Sequence, residues 1–188
     1  MHACMGDYPL VYVSPEGVAD VDVGEVLTVI VGVSSLVNKD LYGFDIKFKW
    51  NTDALEYVGH EVKVPVEAYL EGVLHDPVIE VKNEVDASAG TFWVAYASLS
   101  PAEPFNHDGV FFAITFVLHK ECEDPFALEY AILVSYNCET IPVNGCQSAE
   151  TSTSPPNSEE VNELRKLRAK EWLEWWITVT FHLTKPRP

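Results

Sequence analysis

The chain has 188 residues, enough for one β-rich domain with a full core plus an appendage, and 47% of them are apolar, which excludes a disordered chain. Asp and Glu number 29 against 12 Lys and Arg, and the resulting net charge of −17 repels nucleic-acid phosphates and anionic lipid, so nucleic-acid binding is excluded as a role. No run approaches the ~18 apolar residues that cross a bilayer, so the chain is not expected to span a membrane.

The charge is uneven. Up to Asn157 six basic residues stand against 24 acidic ones, whereas the remainder carries six against five. Met1 to Asp7 lack the apolar core of a secretory signal. Leu10 to Val13 is the first short strand candidate. Asp20 and Asp22, with Asp40 farther on, are candidates for hard oxygen ligation of calcium, although loop acids are ordinarily just solvated. Leu27, Val29, Val31 and Val33 then recur with period two, and the next run, Tyr42 to Trp50, does the same through Phe44, Ile46, Phe48 and Trp50. That register places Trp50 in the core and points Asp45, Lys47 and Lys49 away from it.

Val78 to Lys82, Thr91 to Leu99, Val110 to His119 and Ala127 to Tyr136 continue the series. In the last, Leu128, Tyr130, Ile132 and Val134 are read as one face. Val110 to His119 is apolar on both faces, as expected of a central strand. Seven or more strands at this spacing predict an all-β fold of two packed antiparallel sheets. Of the aromatic residues, Trp50, Tyr57, Tyr69, Trp93 and Tyr96 would make a sugar-stacking platform if they emerged on one face, which alternation opposes for Trp50.

Cys4, Cys122, Cys138 and Cys146 contain no C-x-x-C pair, so thiolate metal ligation is not expected. Three of them flank one predicted strand, and Cys122 with Cys138, or Cys138 with Cys146, are the disulfide candidates of an oxidising compartment. Residues 147–157 are rich in Ser, Thr, Pro and Glu and read as a linker or loop, which sets an 8–146 domain apart from residues 158–188. There Asn157 and Glu160 have capping-box spacing, and Val161, Leu164, Trp172, Trp175 and Trp176 share one helical face. The alternation of Ile177, Val179, Phe181 and Leu183 predicts a final strand. No nucleophile elbow, phosphate loop, dinucleotide fingerprint or zinc motif occurs, so no catalytic residue is assigned and no cofactor is expected beyond the calcium alternative.

The order of segments resembles the cohesin family. Val23 to Glu25 with the strand Val26 to Val33, then Leu41 to Asn51, then Asp53-Ala54-Leu55-Glu56-Tyr57 are similar to its early strands. Asn83 with Gly90 to Val94, and Gly109 to Phe116, are similar to its later ones, so the resemblance covers about Leu10 to Val143. It implies a jelly-roll β-sandwich of about nine strands, with the helix and final strand as an insertion or an appendage. If Ile177 to Leu183 closes the sheet they are an insertion, and if Thr140 to Val143 closes it they are an appendage. It also implies a non-catalytic, extracellular or cell-surface module that holds a protein partner such as a dockerin-like helix pair. Asp45, Lys47, Lys49, Tyr57 and Tyr69 are the candidate contacts. The competing readings are a carbohydrate-binding module, which takes a polysaccharide, and a structural cell-surface domain.

Overall fold

Period-two alternation produces nine strands in the computed structural model, which describes residues 8–144. They are β1 (Leu10–Ser14), β2 (Val26–Ser34), β3 (Leu41–Trp50), β4 (Leu55–Val62), β5 (Val78–Asp86), β6 (Thr91–Ser98), β7 (Gly109–Leu118), β8 (Phe126–Ser135) and β9 (Thr140–Ile141). Two antiparallel sheets result, one ordered β1-β2-β7-β4 and the other β5-β6-β3-β8-β9. The linker, the Trp-rich helix and the strand expected at 177–183 lie outside the described residues. The two-residue β9 pairs with β8 at a sheet edge.

The core is made of the inward halves of the alternating runs. Leu27, Val29, Val31 and Val33 of β2 and Ile114, Phe116 and Leu118 of β7 meet Phe44, Ile46, Phe48 and Trp50 of β3. Aromatic rings fill the middle: Phe44 lies 4.6 Å from Phe111, and Phe92 meets Phe112 edge-on at 5.0 Å. Such offset and edge contacts suit the ring quadrupoles and fix how the sheets sit on each other.

A bulge corrects the parity expectation for β8. Between Lys47 and Phe48 the β3–β8 register shifts, so that Lys47 pairs with Tyr130 but Phe48 pairs with Leu128, and Glu129 is the extra residue. Leu128 therefore faces the core while Tyr130, Ile132 and Val134 face outward, and Ala131 and Leu133 take the inner positions instead. A second shift, between Tyr57 and Gly59 of β4, makes the exposed Val58 the extra residue and puts Glu61 on the outer side. An extra residue reverses the facing of everything beyond it, which simple alternation cannot anticipate.

Candidate partner-binding face

The outer side of the five-stranded sheet is built by the residues that alternate with the core. Because Phe44, Ile46, Phe48 and Trp50 point inward, β3 presents Asp45, Lys47 and Lys49 outward; β6 adds Trp93, Ala95 and Ala97, and β5 adds Lys82, Glu84 and Asp86. The face divides into two halves.

In one half Ala95, Ala97, Ile132 and Val134 are buried, and so is Asp45, at 7% exposure. The Asp45 carboxylate accepts hydrogen bonds from Trp93 Nε1 at 2.7 Å and from the Tyr130 hydroxyl at 3.2 Å. Asp45 was expected to be a surface contact. Its outward direction is as alternation predicts, but flanking aromatics cover it and turn it into an internal acceptor.

The other half is charged and open. Lys47 Nζ lies 3.3 Å and Lys49 Nζ 2.8 Å from Glu129 Oε2, so the β8 bulge places one carboxylate between two ammonium groups. Partial burial would push the Glu129 carboxyl up, but hydrogen bonds from Lys49 and Lys47 outweigh it and hold the group below the ordinary carboxylate range. Beside them Lys82 sits over the Trp93 ring, 4.5 Å from its centroid, and pairs with Glu84 at 2.7 Å. Lys47 and Lys49 are thus brought together on the outward side of β3. Trp93, Lys82, Glu84 and Glu129 complete the patch. The first three follow from strand parity, whereas Glu129 depends on the bulge.

Tyr57 and Tyr69 are elsewhere. Tyr57 points inward from β4, stacks on Trp50 at 5.9 Å and donates from its hydroxyl to His60 Nδ1 at 2.6 Å. Tyr69, in the β4–β5 connection, lies under Lys63, whose Nζ is 5.0 Å from the ring centroid. A polar chain continues from His60 Nε2, which donates to Asn83 Oδ1 at 3.0 Å; the Asn83 amide donates to Glu80 at 3.1 Å, and the Tyr96 hydroxyl donates to the same carboxylate. It joins edge strand β4 of one sheet to edge strand β5 of the other. Burial, and then the bond to Glu80, push the Tyr96 phenol well above its ordinary value. With Trp50 buried and Tyr57 and Tyr96 committed to this chain, the five aromatics form no common platform.

The calcium candidates are likewise separated. Asp20 and Asp22 precede β2, whereas Asp40 follows its far end and exchanges hydrogen bonds with Asn106, both at 2.8 Å. Cys122 and Cys138 are free thiols, so the first of the two candidate pairings is not formed; the second involves Cys146, which like Cys4 lies outside the described residues.

The family model of the cohesin domain matches residues 11–140, well over half of the chain. The chain belongs to the cohesin family. No curated protein sequence matches it significantly. Among solved structures it is similar to the OlpA cohesin in a type I cohesin–dockerin complex from Clostridium thermocellum, at 12% identity over 73% of this chain and 93% of that one, with a TM-score of 0.54. It is also similar to the sixth cohesin of Acetivibrio cellulolyticus scaffoldin B, determined in complex with a Cel5 dockerin mutant, at 11% identity, the same coverages and a TM-score of 0.53. A cohesin module from a Clostridium perfringens family 33 glycoside hydrolase gives 17% identity over 73% of this chain and 89% of that one, with a TM-score of 0.50. At such identities the likeness establishes a shared cohesin sandwich, independently of side-chain detail. Cohesin modules are interaction domains without a catalytic role of their own.

Proposed function

We propose that this cohesin works outside the cell as a non-catalytic docking module, and that it grips a dockerin-type protein with the charged half of its five-stranded sheet. One observation carries the choice of surface: of the six lysines among the described residues, three (Lys47, Lys49 and Lys82) share this patch with a half-buried tryptophan. Elsewhere that body is dominated by carboxylates. Tryptophan at the centre of a polar rim is the composition of a binding hot spot, because the ring supplies apolar area at little entropic cost while surrounding charges exclude wrong partners. The dockerins seen with the relatives support the partner class.

Titration calorimetry against a panel of dockerin modules tests this. Lys49→Glu and Lys82→Glu, both surface changes that leave the core untouched, are expected to weaken binding about tenfold each, and Trp93→Ala by more. Dockerin binding that none of the three alters would move the contact to another surface, and no binding by any dockerin would remove the partner class.

A further inference from the structure

The outward side of the four-stranded sheet departs from the pattern of the rest of the surface. A half-solvated antiparallel sheet ordinarily turns polar residues to water, and the opposite side of the sandwich does so with its lysines and carboxylates. Here β2 turns out Val26, Thr28 and Ile30, and β7 turns out Ala113, Thr115 and Val117. Two central strands thus present no charge, in a chain of which 22% is charged. Val26 is 66% exposed and Val58, the extra residue of the β4 bulge, 57%. The hydroxyls of Thr28 and Thr115 lie 3.4 Å apart and bond to each other. Among the described residues, the strands of this face carry carboxylates only along the β4 edge, at Glu56 and Glu61, while the β1 edge offers Tyr12 and Ser14.

We propose that this face packs against the same face of a second copy of the chain. A broad, uncharged, twisted sheet finds a partner of matching twist in another such sheet, aligned at about 30° as inside a sandwich. The charges select the symmetry axis. A two-fold parallel to the strands lays the β4 edge of one copy over the β1 edge of the other, so that Glu61 comes over uncharged Ser14; a two-fold across the strands would bring carboxylate onto carboxylate. Four strands about 4.8 Å apart over seven residues give roughly 450 Å² of face per copy. That is below the ~800 Å² per partner of a standard interface, so the dimer is weak and forms with rising concentration. Because each chain carries −17, screening by salt strengthens this association, whereas it weakens a contact with a cationic partner.

Sedimentation equilibrium of the whole chain from roughly 10 µM to 1 mM tests the proposal, in about 50 and about 500 mM NaCl. The expected result is a mass rising from 21.0 kDa toward twice that value, at lower concentration in the higher salt. Val26→Glu and Val58→Glu, at exposed positions where folding tolerates the change, are each expected to weaken dimerisation about tenfold or more, with melting temperatures near that of the parent. A monomer under every condition, a dimer indifferent to both substitutions, or a dimer that salt dissociates would each overturn it.

Discussion

Asp45 illustrates how a side chain can obey its strand's alternation and still be lost to the solvent. Trp93 Nε1 and the Tyr130 hydroxyl both donate to its carboxylate. Asp45→Ala removes the acceptor of both bonds, and unfolding by urea is expected to show a loss of about 3 kcal/mol. Tyr96 gives a pH signature. Its phenol is held above the ordinary value by burial and by the bond to Glu80, so the folded protein keeps that proton longer than the unfolded chain does. The stabilisation is complete below the unfolded value of about 10 and disappears as pH rises toward the folded one. Denaturation midpoints measured from pH 8 upward should therefore fall less steeply in Tyr96→Phe than in the parent; parallel curves would show that the Glu80 contact contributes nothing.

At the scale of elements, turns and bulges decide what strand periodicity leaves open. In the β5–β6 turn Asp86 Oδ1 accepts from the Ser88 and Ala89 amides, at 3.1 and 3.0 Å, and Gly90 closes it with φ of +63°. A Cβ there would stand 2.4 Å from the Trp50 carbonyl oxygen, against backbone that cannot yield. Gly90→Ala combines left-handed strain with that clash and is expected to cost about 3 kcal/mol, read from the denaturant midpoint. The sheets themselves were legible because β2, β3, β6 and β7 hold long period-two runs whose inward members are the observed core. The outer face of β8 was not, since a register shift is fixed by pairing with β3 and leaves no mark in the sequence of β8 alone. Asp45 and Tyr57 were misplaced for a related reason: burial of a polar or amphipathic group depends on which rings arrive from other strands, Trp93 and Tyr130 in one case and Trp50 in the other.

For the molecule as a whole the governing quantity is charge. Lys47, Lys49, Lys63 and Lys82 are already paired with carboxylates of the same chain, so the excess of acid is left facing water and itself. Self-repulsion of this kind opposes compactness and is screened by ions. The melting temperature followed by circular dichroism should rise by several degrees between about 20 and about 300 mM NaCl. A flat or falling curve would mean that the internal ion pairs, which salt weakens, matter more than the net excess.

The added residue in β8 has a consequence for how this chain can change length. Remove Glu129 and strict alternation returns with every side chain where it already stands: Leu128, Ala131 and Leu133 inward, Tyr130, Ile132 and Val134 outward. Loss of this one exposed acid would thereby straighten a ten-residue strand without exchanging its faces, whereas loss of a paired neighbour would exchange them, so β8 can shorten at this position and not beside it.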